Sequence, residues 1–138
     1  MNGLSRRKAL MLGAMLPLAL PRISTAQAQD VVRVGVINHV TGPFATAGEQ
    51  IRQGIETHVA RFGAEAGGRR IEYVHRDIGG PNPATARRLA EELVVRDRVS
   101  ILTGFYLTSD ASAAAAVINQ ARIPTVLAVA ASPALLEQ

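Results

Sequence analysis

Tyr106, Thr108, Ser109, Asp110 and Ser112 place oxygen-bearing side chains close together in the stretch LTGFYLTSDAS, directly after an apolar run that breaks at Gly104. Hydroxyls at the end of a buried strand offer hydrogen-bond donors. If a helix begins there, its first turn adds unpaired backbone amides and the positive end of the helix dipole. Such a combination suits an anion, most simply the carboxylate of a small or zwitterionic ligand. The same residues can also do something plainer: Ser109 or Asp110 can cap its own helix while Thr108 closes a turn. The choice between these readings depends on the elements that hold the loop.

The chain alternates strand and helix. Residues 31–37, VVRVGVI, form a β-branched run leading into a loop with Thr41, Gly42 and Pro43, and read as a first buried strand. Ile51, Ile55, Val59 and Phe62 recur at helical spacing and predict a helix with one apolar face, stopped by Gly67 and Gly68. Residues 70–76 alternate as a second strand, and residues 77–83 are turn-rich. Asn82 and Pro83 start a second helix, one as cap and the other at the first helical position, with Leu89, Leu93 and Val94 as its buried stripe to about Arg96. Residues 99–103 predict a third strand. An alanine-rich helix capped by Ser109 or Asp110 follows, and Ile123-Pro124 leads into a fourth strand over 125–129.

This order predicts an α/β fold, a parallel sheet with helices on both faces joined by right-handed crossovers. Ligands of such sheets lie outside the carboxyl ends of the strands, where strand order reverses. The loop 104–110 follows the third strand and precedes the third helix. Its hydroxyls and the free amides of the helix are therefore expected to face the ligand crevice together.

The first 28 residues read as a segment apart from the fold. Ser5-Arg6-Arg7-Lys8 precedes the apolar stretch ALMLGAMLPLAL and then Ala26-Gln27-Ala28, the order of an export signal with a small-x-small cleavage site. The apolar stretch is far shorter than the ~20 residues that span a bilayer, and Pro17 interrupts it. Adjacent arginines after a serine resemble the twin-arginine signal, although Ala9 stands where a bulky apolar residue is usual. The expectation is a periplasmic protein, soluble after cleavage, whose mature part is residues 29–138.

Charge and composition narrow the function. The chain has a formal net charge of +4, but Arg6, Arg7, Lys8 and Arg22 all lie in the leader, and without them basic and acidic residues balance. A nucleic-acid partner is not expected, because phosphate binding needs a basic excess on the folded part. Cysteine is absent, which excludes a disulfide framework, thiol catalysis and an N-terminal lipid-modified cysteine. His39, His58 and His75 lack metal-ligand spacing and are expected to be structural or solvent-facing, so no metal or cofactor is expected. There is no Gly-x-Gly-x-x-Gly, phosphate loop or Gly-x-Ser-x-Gly turn, and the neighbouring Glu91 and Glu92 point different ways on a helix. An enzyme is not expected.

Val34-Gly35-Val36-Ile37, then Thr41-Gly42-Pro43 with Gly48, Gly54, Asp77, Pro83-Ala84, the Gly104 loop and Ile123-Pro124, together resemble the periplasmic substrate-binding proteins of branched-chain amino-acid and amide ABC transporters. The likeness covers essentially all of residues 31–135. It implies the N-terminal lobe of a two-lobed fold of the leucine-binding-protein kind, which closes on a ligand and delivers it to a membrane permease. It places Thr108 where the family sets a hydroxyl on the ligand's carboxylate or amide, with Tyr106 and Ser109 beside it and backbone groups from Val129 to Ala131. Ala131 stands where amino-acid binders usually carry threonine, and Ala47 where some carry a tyrosine. The wording Gly-Phe-Tyr-Leu-Thr of residues 104–108 is closer to the amide-binding branch.

Two other classes remain open at this level: an exported α/β enzyme with its catalytic part beyond Gln138, and the ligand-sensing ectodomain of a receptor. Residues 132–138 begin a new helix, so 29–138 is expected to be an incomplete lobe that by itself binds its ligand weakly or not at all.

Overall fold

A computed structural model describes residues 31–135. The expected leader falls outside the described residues. The order is β1 (Val31–Asn38), α1 (Ala45–Phe62), β2 (Glu65–Ala66), β3 (Arg69–Asp77), α2 (Pro83–Glu91), β4 (Ile101–Gly104), α3 (Thr108–Ala121) and β5 (Thr125–Leu127). A π-helical turn, Glu92–Arg96, extends α2, and Pro133–Leu135 forms a single 3-10 turn.

The sheet order is β2-β3-β1-β4-β5. β1 pairs in parallel with β3 on one side and with β4 on the other, Val34 meeting Tyr73 and Ile101, and β4 pairs in parallel with β5. The chain moves from β1 to β3 in one direction and then crosses back to β4 in the other. Right-handed crossovers taken in opposite directions put their helices on opposite faces. Accordingly Ile51, Ile55 and His58 of α1 lie over Val34, Tyr73, Ile101, Thr103 and Val126. On the other face, α2 and α3 pack with Ile37, Leu102 and Phe105 in the main core.

Phe105, Ile37, Leu93 and Leu102 are the largest fully buried apolar side chains, each contributing roughly 1.5–3 kcal/mol of transfer free energy. The two faces are unequal. The expected α1 stripe is only half-buried at Ile51, Ile55 and Val59, and Phe62 is 66% exposed. Within α1 the buried residue is Gly48.

Two local expectations change. α1 ends at Phe62 with Gly63 as its C-cap, not at Gly67-Gly68. That glycine pair instead turns the β2–β3 hairpin, both residues at positive φ (58° and 75°), because a two-residue hairpin loop whose twist matches the strands needs left-handed backbone. The antiparallel edge strand β2 was not expected; two residues carry no periodicity to read. Asn82 caps α2 as expected, its Oδ1 accepting from the Thr85 amide at 3.0 Å with Pro83 at the first position.

Candidate functional site

The strand order reverses at β1, so the switch point lies at the carboxyl ends of β1 and β4. The loop 39–44 leaves β1 there and residues 105–107 leave β4. Asn38, the last residue of β1, fixes the first loop from beneath: its Nδ2 donates to the Gly48 carbonyl at 2.8 Å and its Oδ1 accepts from the His39 amide at 2.9 Å. A Cβ at Gly48 would stand 1.7 Å from the His39 carbonyl oxygen, so only glycine lets α1 approach the loop this closely.

Asp77 fixes the same loop from the side. Its Oδ1 accepts from the amides of Val40 and Gly79, at 2.8 Å each, and of Thr41 at 3.3 Å, and its Oδ2 accepts from the Thr41 hydroxyl at 2.7 Å. Burial alone would raise this carboxyl, but the Thr41 hydroxyl and the three amides outweigh it and hold Asp77 below the usual carboxylate range.

The second loop is held by strained backbone. Gly104 has φ 106°, and a Cβ there would meet the Ile37 carbonyl oxygen at 2.1 Å. Phe105 follows at φ 57°, unusual for a bulky residue. It is buried, and its amide donates to the Ile37 carbonyl at 2.8 Å while its carbonyl accepts from the Ala130 amide at 3.0 Å. Packing and hydrogen bonds on both sides thus hold a conformation that isolated backbone would leave.

Its consequence is the placement of Tyr106. That ring packs at 5.4 Å from Phe44 and 6.3 Å from His39, and the Phe44 and His39 rings are 5.5 Å apart. Three rings from two loops therefore meet at the switch point.

Thr108 is the first residue of α3 and half-buried; Ser109 follows it and is exposed. The Thr108 hydroxyl donates to the Ala131 carbonyl at 3.4 Å. Val129 and Ala131 are exposed in the segment after β5. Tyr106, Thr108, Ser109 and Ala131 thus stand together at one end of the sheet, and Val129 belongs to the same segment as Ala131. Ser109 and Asp110 do not cap α3: Leu107 occupies the cap position, with no side-chain cap bond. Asp110 lies fully buried, its Oδ2 at 3.3 Å from Nε2 of the equally buried His39. Burial pushes the Asp110 carboxyl up, partly opposed by His39 and by the Asn82 backbone.

Sequence reasoning missed Phe44, His39 and the inward turn of Asp110. Phe44 follows the Thr-Gly-Pro turn and could have been suspected from that place; the His39–Asp110 pairing links residues far apart in the chain and left no local signal. The arrangement offers an open face with amides, hydroxyls and aromatic rings, suited to holding a small anion. Among the described residues, no group of three or more His, Asp or Glu side chains could hold a metal ion.

The profile of the family described as "Periplasmic binding protein" matches residues 31–137. This chain belongs to that family. It is 38% identical over 124 residues to the Leu/Ile/Val-binding protein homolog 6 of Brucella abortus (strain 2308), a match covering 89% of this chain and 32% of the relative. The chain therefore spans about a third of the length of the curated relatives it matches.

Among solved structures, a solute-binding protein of an ABC transporter from R. palustris, in complex with 4-hydroxybenzoate, superposes with a TM-score of 0.75 at 39% identity, over 78% of this chain and 29% of that one. A second R. palustris solute-binding protein, in complex with benzoate, gives 0.68 at 29% identity, over 72% of this chain and 28% of that one. The substrate-binding protein LivJ of a branched-chain amino acid transporter of Streptococcus pneumoniae, in complex with isoleucine, shares the fold at 0.71 and 23% identity, over 78% of this chain and 31% of that one. These neighbours are two-lobed periplasmic binding proteins.

Proposed function

We propose that the chain forms the N-terminal ligand-binding lobe, residues 29–138, of the extracytoplasmic solute-binding component of an ABC importer, and that the component takes a small carboxylate to a membrane permease. The observation that carries this reading is the meeting of the α3 first turn, with Thr108 and Ser109, and the Tyr106–Phe44 ring pair at the switch point. The helix terminus favours a carboxylate, and the rings favour a flat apolar body behind it. Alanine at positions 47 and 131, where the family resemblance leads one to expect tyrosine and threonine, agrees with a bulkier ligand body. An aromatic acid meets all three features, and the ligands of the R. palustris relatives are of that class. Tyr106, Thr108, Ser109, Val129 and Ala131 are the proposed contacts. The family and the export pattern of residues 1–28 support a periplasmic location, and binding rather than catalysis is the proposed role.

The test is a nuclear magnetic resonance titration of the isotope-labelled chain with benzoate, 4-hydroxybenzoate, isoleucine and benzamide. The aromatic acids are expected to shift the amides of residues 106–109 and 131, with an affinity no better than about 1 mM, equivalent to about 4 kcal/mol, because one lobe buries only part of a ligand. Larger shifts with isoleucine or benzamide would replace the aromatic acid by those ligands. No shift with any of the four would overturn the reading of this face as a carboxylate site.

A further inference from the structure

His39 and Asp110 stand apart from everything else in the core. They come from opposite sides of the switch point, one leaving β1 and the other in the first turn of α3, and both have 0% exposure. Their 3.3 Å contact is poorly aligned for a hydrogen bond, the His39 ring nitrogens have no other partner among the described residues, and the one further group that favours the Asp110 carboxylate is the Asn82 backbone. Burying two such groups costs more than the pair recovers unless the geometry is excellent, so well-packed apolar residues there would serve stability as well or better. Stability alone is therefore a weak account of the pair.

Its position suggests a further account. The His39 ring lies against both Phe44 and Tyr106, and Asp110 follows Thr108 by two residues. Phe105, held at φ 57°, aims Tyr106 toward that cluster.

We propose that His39 and Asp110 form a positioning pair that holds the Phe44 and Tyr106 rings in register with the first turn of α3. Asp110 draws the His39 ring toward α3, and the ring sets the distance between Phe44 on one loop and Tyr106 on the other. A buried lone charge is strongly penalised, so the pair works as a net-neutral unit, which also spares the α3 terminus an uncompensated negative charge beside its anion face. The upward displacement of the Asp110 carboxyl by burial agrees with a group that sheds its charge on acidification before ordinary carboxylates do. Tyr106 is the titratable side chain that lies against the His39 ring, and Asp77, at the end of β3, binds the neighbouring residues 40 and 41; α2 contributes the Asn82 backbone, and the first turn of α1 has no acidic residue. The inference rests on the carboxylate reading for its functional meaning, but its geometry is testable without any ligand.

The test follows the inter-ring nuclear Overhauser contact between Phe44 and Tyr106 against pH in the full chain, in Asp110→Asn and in a His39→Leu/Asp110→Leu double variant, with urea unfolding in parallel. The unaltered chain is expected to lose the contact on acidification. Asp110→Asn should weaken it at least twofold at neutral pH and remove its pH step, and the double variant should fold yet lack both contact and step. A purely structural role would lower the Asp110→Asn unfolding midpoint while leaving the contact and its pH profile unchanged, and that result overturns the proposal. So does an intact contact in the double variant, which remains decisive if Asp110→Asn fails to fold. Absence of benzoate shifts in a chain whose ring contact responds as expected would sink the ligand reading and leave the positioning pair standing.

Discussion

The Thr108 hydroxyl donates a 3.4 Å hydrogen bond to the Ala131 carbonyl, tying the first turn of α3 to the segment after β5. Residues 23 positions apart thereby share one face at the end of the sheet. The bond is long and exposed, so it holds this face only lightly. Thr108→Val is expected to cost under about 1 kcal/mol in urea unfolding. In the benzoate titration the same variant should lose most of the shift at residues 106–109, and Thr108→Ser should keep it. Equal shifts in Thr108→Val and the unaltered chain would remove Thr108 from the contact set.

Gly48 and Gly54 occupy the same helix and predict opposite outcomes. A Cβ at Gly48 would drive into the His39 carbonyl at 1.7 Å, forcing α1 away from the site loop, whereas one at Gly54 meets nothing within 4 Å. Gly48→Ala should destabilise by about 3 kcal/mol. Gly54→Ala should stabilise by about 0.5–1 kcal/mol, because it removes backbone freedom from the unfolded chain. Chemical denaturation of both variants checks the contrast; a neutral Gly48→Ala would mean that α1 does not press on the loop.

Asp77 predicts a pH dependence with a definite sign. Its folded carboxyl is held low, so the charged form contributes stability above the unfolded carboxylate value, and that contribution is lost as pH falls through the folded one. Asp77→Asn is expected to cost on the order of 1 kcal/mol at neutral pH, since Asp77 is exposed and solvent screens it. The gap between variant and parent should close on acidification. A gap that widens in acid would contradict the loop-holding role.

β5 is the sheet's last strand among the described residues, and Val126 on it is 63% exposed. An unpaired strand edge beside exposed apolar surface favours association with further chains. Val126→Lys should lower light scattering at high protein concentration with little change in unfolding midpoint, and unchanged scattering would place the association elsewhere.

The alternation of β-branched runs with helical stripes was enough to give the parallel sheet and its helices, because burial on both faces leaves short apolar runs such as 34–37 within the strands. Asn82-Pro83 gave the start of α2 for a similarly local reason: cap and first position are adjacent in the chain. The loop 104–110 was legible as a strand-to-helix junction, and with it the company of Tyr106, Thr108 and Ser109.

What the sequence could not determine depends on partners distant along the chain. Asp110 has the side chain of a cap, yet it turns inward, where His39 from the end of β1 and the Asn82 backbone meet its carboxylate. Phe62 has the spacing of a buried residue, yet as the last residue of α1 it lies exposed. Gly67-Gly68 has the chemistry of a helix stop, and the pairing of β2 with β3 makes it a hairpin turn. Spacing along one element is a local property that sequence carries; the choice of which element a side chain meets is settled by the reversal of strand order at β1, and that exists only once the sheet is assembled.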